Sequence, residues 1–250
     1  MLLMQQWVNY DAHARSRPRT DFWGQVRRTV HGRPVSDKQI DLIVAAVVAA
    51  LGLGADDTLL DLACGNGALS DRLFQCCAGG VGVDVSEYLI GVAQEYFATP
   101  SRQYVRADAV DWVEAEADPG RFTKAVCYGS FSYLSDDAAA RMLRTLHRRF
   151  PRVGHVLLGN LPDPARASRF YGASRDATGR AGKGVGRAPD LRTPDLRTPD
   201  LRTPESDLGI WRDEAEITAL AGQGWQVTTR PMPPEFFAAH YRYDALLVRQ

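Results

Sequence analysis

The chain has 250 residues, 45% of them hydrophobic and 24% charged, enough to bury one sizeable core with appendages and too few for two full domains. Its 30 basic and 30 acidic side chains cancel, so the whole-molecule field gives no reason for nonspecific attraction to nucleic acid or to an anionic membrane. Met1 to Val8 lack a basic flank followed by a long apolar run, and Ile40 to Leu51 is too short to span a bilayer, so a cytoplasmic protein without membrane contact is expected.

Residues 7–34 are an aromatic and basic preamble, with Trp7, Tyr10, Phe22 and Trp23 among six arginines and no sustained period. Ser36 followed by Gln39 reads as a capping box, and Ile40, Ile43, Val44, Val47, Val48 and Leu51 then recur at helical spacing until Gly52. From Thr58 onward, short apolar runs alternate with longer helical patterns, the signature of a doubly wound parallel sheet. The strands are predicted at 58–62, 81–84, 103–106, 125–129 and 156–161. Helices are predicted at 87–97 and at 136–150, the latter capped by Ser135 and stopped by Pro151. From Asp163 to about Leu208 regularity is expected to fail. Three tandem Pro-Asp-Leu-Arg-Thr copies run from Pro189 to Thr203, and proline at every fifth position forbids a continuous helix or a central strand. That stretch reads as an extended or disordered insertion, tolerated in a surface loop or recruiting a partner. A helix at 213–221 and two strands at 225–229 and 243–248 follow, the short link between the strands implying an antiparallel pair at the sheet edge. The expected layout is a single domain over 1–250, with a cap and helix at 1–52, a core at 53–162, the insertion at 163–208 and closing elements at 209–250. Cys64, Cys76, Cys77 and Cys127 show no metal-ligand spacing, so buried thiols and no metal are expected.

The strongest chemical signal is Leu59-Leu60-Asp61-Leu62-Ala63-Cys64-Gly65-Asn66-Gly67, an apolar strand that ends in a glycine-bearing turn into a helix. Gly65 and Gly67 let the backbone approach a ligand, and the first turn of the next helix offers free N–H groups. Val81-Gly82-Val83-Asp84 then puts a carboxylate at the next strand tip, where ribose hydroxyls can donate to it. Asp108 stands just past the third strand. Ligands of doubly wound sheets sit outside the carboxyl ends of the strands, so Asp61, Asp84 and Asp108 are expected to line one crevice in order.

The run from Leu59 to Asp108 resembles the cofactor-binding half of class I S-adenosylmethionine (SAM) dependent methyltransferases of the small-molecule type. The resemblance continues through Lys124 to Tyr133 and the closing strand at 243–248, and leaves out the preamble and the insertion. It implies a Rossmann-like α/β fold: a doubly wound, seven-stranded sheet with an antiparallel last strand in three α/β/α layers. It further implies SAM as cofactor. Asp61 and the loop Ala63, Cys64, Gly65, Asn66 and Gly67 would hold its methionine end, Asp84 and Val85 its ribose, and Asp108 and Ala109 its adenine, with Tyr128 beside it. Ala63 stands where the family most often has its first glycine.

The implied activity is methyl transfer to an oxygen or nitrogen atom of a small molecule. Orientation and desolvation can drive such a step, and a general base is needed only for a hydroxyl or protonated amine, so the catalytic residue is left unassigned. The fourth-strand loop, Cys127 to Tyr133, is expected to face the methyl group. It lacks the acid or asparagine, two prolines and aromatic of amino-methylating DNA enzymes, and Cys127 is not preceded by proline, so no nucleic-acid partner is expected. Trp23, Arg28, His31, Ser130, Tyr133, Asn160 and His240 are the candidate acceptor residues, while Asn160 and Asp163 also suit a turn beside Pro162. Arginines concentrated at 11–33 and 164–188 point to an anionic acceptor or to a solvated basic rim. Aromatic side chains of the preamble suit a lid or a dimer contact, so monomer and homodimer both stay open. Two other readings share part of the pattern. A nicotinamide-dependent oxidoreductase would use a similar glycine loop, but its third glycine position is Ser70 and no tyrosine is followed four residues later by lysine. A noncatalytic SAM-binding scaffold would look the same in sequence.

Overall fold

Among the residues that the computed structural model describes, 10–30, 32–172, 201 and 208–250, seven strands join in one sheet. They are β1 (Thr58–Leu62), β2 (Gly79–Asp84), β3 (Arg102–Arg106), β4 (Lys124–Tyr128), β5 (His155–Pro162), β6 (Trp225–Pro231) and β7 (Arg242–Arg249). The order across the sheet is β3-β2-β1-β4-β5-β7-β6; β1 to β5 are parallel, and β7 runs antiparallel between β5 and β6. Every predicted strand is present, and most run a residue or two longer than their apolar patch. The predicted antiparallel pair is β6 and β7, although β6, not the last strand, forms the edge. The strand order reverses between β1 and β4, which opens a crevice at their carboxyl ends.

The central strands read as continuous apolar runs because both faces are covered. Leu60 and Leu62 face Val113, Phe122, Met142 and Leu146, under the helices α4 (Ala109–Ala115), α5 (Asp136–Arg149) and α7 (Glu214–Ala221). Leu59 faces the other way, toward Ile40, Val47, Phe74 and Tyr104, under α1 (Asp37–Leu51), α2 (Ala68–Phe74) and α3 (Glu87–Phe97). These three layers are the expected architecture. No helix among the described residues is long and apolar enough to cross a membrane.

Three local expectations are corrected, and the aperiodic preamble takes up structure as a cap. The capping box of α1 does not form: Ser36 makes no side-chain cap bond, and the Gln39 amide donates to the Glu235 carbonyl (2.9 Å) and accepts from the Phe237 N–H (2.8 Å). A contact from the far end of the chain has taken the residue that local spacing assigned to the cap. The preamble is structured despite lacking a period, with helical backbone at 10–15, a turn of helix at Phe22–Gln25 capped by Asp21, and a two-stranded hairpin pairing Thr29–Val30 with Arg33–Pro34. Regular structure also runs past Asp163, into α6 (Ala167–Gly172), where Phe170 packs on Trp211 and Tyr241 at 5.9 and 5.0 Å. The rest of the 163–208 insertion lies outside the described residues, apart from Leu201 and Leu208. Finally, Cys76 is exposed, because α2 ends at Phe74 and the following turn rides on the surface; Cys64 and Cys77 are half-buried and Cys127 is buried.

Candidate active site

The chain leaves β1 through left-handed backbone steps at Ala63 (φ 61°), Gly65 (φ 61°) and Gly67 (φ 75°). A side chain at Gly67 would sit 2.6 Å from the Tyr104 ring and 2.8 Å from the Ala93 methyl, so only glycine closes the turn onto α2 without displacement. The turn brings the Gly65 N–H to Asp84 Oδ2 at 2.8 Å, while Asp84 Oδ1 accepts from the Ser86 N–H at 2.9 Å. Burial pushes the Asp84 carboxyl above its ordinary value, against the pull of these two bonds. A carboxylate has about four lone-pair positions, so Asp84 keeps acceptor capacity for further hydroxyls. Asp108 caps α4 with one oxygen, Oδ1, which accepts from the Val110 and Asp111 N–H groups; its second oxygen is left over on an exposed side chain. Asp84, Val85, Asp108 and Ala109 line one cavity with Ala63, and Cys127, Ser130, Leu134 and Met142 complete its wall. Leu134 and Met142 were not legible as site residues, since Met142 reads simply as the buried face of α5.

The remaining loop residues serve the cavity from behind. Asp61 does not line it; its carboxyl accepts from the Ser70 hydroxyl at 2.5 Å and is only 3% exposed. Burial pushes Asp61 up to about 7, with the Ser70 bond and Arg28 opposing and Asp84 adding to the rise. Cys64 packs under the loop against Gly82. Because the folded state holds the Asp61 proton more tightly than the unfolded chain does, stability is greatest below the ordinary carboxyl value and falls as pH rises through about 7. Asp61→Asn keeps an acceptor for Ser70 and removes that penalty. Its melting temperature is expected to exceed the parent's by about 5 °C near pH 8 and to converge with it near pH 4, on the scale of a few degrees per kcal/mol. Melting curves across that range check this, and an offset independent of pH contradicts it.

The preamble is fastened over the loop. Asp11 Oδ1 accepts from the Ser86 hydroxyl (2.5 Å), Arg19 pairs with Glu95, and Arg15 and Arg19 lie over the Tyr88 ring at 4.8 and 5.3 Å. Phe22 meets the Tyr96 and Phe97 rings edge-on. Asn66 faces this segment instead of the cavity: its amide donates to the Phe22 carbonyl (2.7 Å) and to Gln25 Oε1 (2.9 Å). Arg15 also pairs with Asp11, so part of the anticipated basic rim is already neutralised within the protein. Arg28 differs. Its guanidinium lies over the Trp23 ring at 5.9 Å and the Tyr128 ring at 5.5 Å, makes no hydrogen bond or ion pair among the described residues, and has its pKa lowered chiefly by burial.

At the tips of β4 and β5, Tyr128 points to the opposite face of the sheet from Cys127 and does not line the cavity. Ser130 and Tyr133 are half-buried in the following loop. Asp163 builds a turn, accepting from the Ala165 N–H and pairing with Arg166. His240 is exposed and packs on Tyr241, and His31 lies outside the described residues. Asp244, which sequence reasoning missed, is buried on β7 and pushed up to about 6 by that burial. Among the described residues no three metal-ligating side chains cluster.

Residues 59–154 match a protein-family model described as a methyltransferase domain. The "Ubiquinone biosynthesis O-methyltransferase" of Pseudomonas paraeruginosa (strain DSM 24068 / PA7) is 30% identical over 122 residues, 46% of this chain and 49% of that protein. The protein of the same name from Methylococcus capsulatus (strain ATCC 33009 / NCIMB 11132 / Bath) is 30% identical over 84 residues, 32% of this chain and 34% of its own length. The chain therefore spans half or less of the length of these curated relatives. The fold is shared with magnesium protoporphyrin IX methyltransferase (ChlM) from Synechocystis PCC 6803 with bound S-adenosylhomocysteine (SAH), at 20% identity and TM-score 0.54 over 85% of this chain and 83% of that one. It is shared also with a DhpI–SAH complex, at 16% identity and TM-score 0.60 over 99% and 97%.

Proposed function

We propose that this protein is a class I SAM-dependent methyltransferase and transfers the methyl group of SAM to an oxygen or nitrogen atom of a small anionic metabolite, a reading supported by the methyltransferase-domain match over residues 59–154. The supporting observation is the bond from the Gly65 N–H to Asp84, made on the same cavity that Asp108 borders. Bound SAM supplies an electrophilic methyl group on a sulfonium. The residues fit its adenosyl part: the spare acceptor capacity of Asp84 suits ribose hydroxyls, the uncapped oxygen of Asp108 suits an adenine amine beside Ala109, and Val85, Leu134 and Met142 offer apolar walls to the base. Gly65 brings backbone close to the ligand, and the fastened preamble covers that turn through Val26. Asp61 is tied to Ser70, which leaves orientation and desolvation as the main contributions. Arg28, a half-buried cation whose guanidinium makes no ion pair among the described residues, supports an anionic acceptor, and the relatives named for O-methylation favour oxygen. The proposal includes a single cytoplasmic domain, monomeric or homodimeric, acting without nucleic acid; the balanced charge supports the last point.

Calorimetric titration separates this reading from its rivals. SAM and SAH are expected to bind and NADH is not; NADH binding without SAM binding excludes the proposal. Label from methyl-labelled SAM is expected to enter a component of a metabolite extract, which a noncatalytic scaffold would not allow. Arg28→Glu is expected to cut labelling of the acidic fraction at least about tenfold, the scale of losing one charged hydrogen bond, and undiminished labelling contradicts the anionic acceptor.

A further inference from the structure

We infer that Asn160 and Tyr128 form a hydrogen-bonding subsite for a hydroxyl group of the acceptor, with Asp244 as the positioning residue that aims it. The inference rests on the methyltransferase reading above. The register between β5 and β7 shifts between Leu158 and Leu161, and within that bulge Asn160 takes φ 61°. For a residue with a side chain the left-handed region costs about 1–2 kcal/mol, and such outliers persist where the surroundings enforce them. Here two buried charged side chains do so. Asp244 Oδ1, 4% exposed, accepts from the Asn160 N–H at 2.7 Å, and Arg242, 9% exposed, donates to the Asn160 carbonyl at 2.5 Å. Bulges re-aim side chains beside active sites, and this one turns the Asn160 amide toward Gly129, one residue before the cavity-lining Ser130.

Three polar atoms are left over around this bulge: Arg242 Nε, beside the Asn160 carbonyl, and two at the neighbouring tips of β4 and β5. Asn160 Oδ1 and the Tyr128 hydroxyl are shielded from solvent, and neither has a hydrogen-bond partner among the described residues. The Tyr128 ring is buried and packs directly on Gly159, where the first carbon of any side chain would stand 2.2 Å from it. Each such group costs about 1–3 kcal/mol if nothing answers it. The chemistry of the answer follows from the pair. An amide oxygen only accepts, whereas a phenol donates and accepts; a ligand hydroxyl can donate to the first and accept from the second. A carboxylate cannot donate, and neither can a methyl ether, so both leave Asn160 unanswered. The subsite is therefore selective for a free hydroxyl over its methylated counterpart.

The test uses the full chain saturated with SAH, titrated with phenol and with anisole by ligand-observed NMR. Failure to bind SAH would count against the methyltransferase reading itself; with SAH bound, the probes address the subsite alone. The parent is expected to prefer phenol about tenfold, the worth of one net hydrogen bond in a buried site. Asn160→Ala and Tyr128→Phe are each expected to reduce the preference below about threefold. Asp244→Ala should do the same, while Asp244→Asn, which still offers a carbonyl to the Asn160 N–H, should restore it; a purely structural role for Asp244 would not separate these two variants. Tyr128→Phe removes one oxygen and keeps the packed ring, so it carries the test even if an Asn160 variant unfolds. Equal affinity of the parent for both probes, a preference that survives Asn160→Ala and Tyr128→Phe, or a crystal structure showing only water on the two atoms would overturn the inference.

Discussion

Replacing Asp84 by alanine is expected to weaken SAH binding by about 10²–10³-fold, because charge-assisted hydrogen bonds are worth roughly 1.5–3 kcal/mol each. Asp84 has two jobs in one carboxylate. It fixes the glycine turn through the Gly65 and Ser86 N–H groups, and its remaining lone pairs face the cavity where the ribose is proposed to lie. Alanine removes both. Asp84→Asn keeps the shape but offers one acceptor oxygen in place of two, so one N–H is left unanswered and an intermediate loss of about tenfold is expected. Calorimetric Kd values for parent and variants check this, with melting temperatures showing that the fold persists. Binding within about threefold of the parent for the alanine variant would mean that the adenosyl ligand does not use this carboxylate.

Gly67→Ala is expected to be the most destabilising conservative change in the loop. The methyl group would stand 2.6 Å from the Tyr104 ring and 2.8 Å from the Ala93 side chain, both buried, at a backbone φ of 75°. The left-handed backbone alone costs about 1–2 kcal/mol, and overpacking a filled core adds about 1–3 kcal/mol. A fall in melting temperature of about 10 °C follows, at a few degrees per kcal/mol for a chain of this size. Gly65→Ala shares the backbone cost but meets a single atom, Val26 Cγ1 at 3.0 Å, so it should melt higher than Gly67→Ala. Thermal unfolding of both variants decides the order, and equal melting temperatures would contradict it.

The sheet was largely legible in the sequence because its strands are buried on both faces and separated by helices with their own period. The predicted ranges 58–62 and 87–97 coincide with β1 and α3. Asp84 and Asp108 were legible for a topological reason: a carboxylate at a strand tip of a doubly wound sheet has few other places to point. The rest depended on partners far along the chain. Asn66 reads as a loop residue facing the ligand, yet its amide is claimed by Phe22 and Gln25, more than 40 residues upstream. Asp11 meets Ser86 across 75 residues, and Asp244 meets Asn160 across 84. No local period encodes such pairs. The preamble lacks periodicity for the same reason: its helical turns are held by the aromatic rings and carboxylates of α3, not by an amphipathic pattern of their own.

The central claim is that the tips of β1, β2 and β3 bind one adenosyl ligand between them, and a crystal structure of the SAH complex tests it most directly. The ribose hydroxyls are predicted to donate to Asp84 and the adenine to lie against Asp108 and Ala109. SAH seated elsewhere, with Asp84 bonded only to Gly65 and Ser86, would contradict the account.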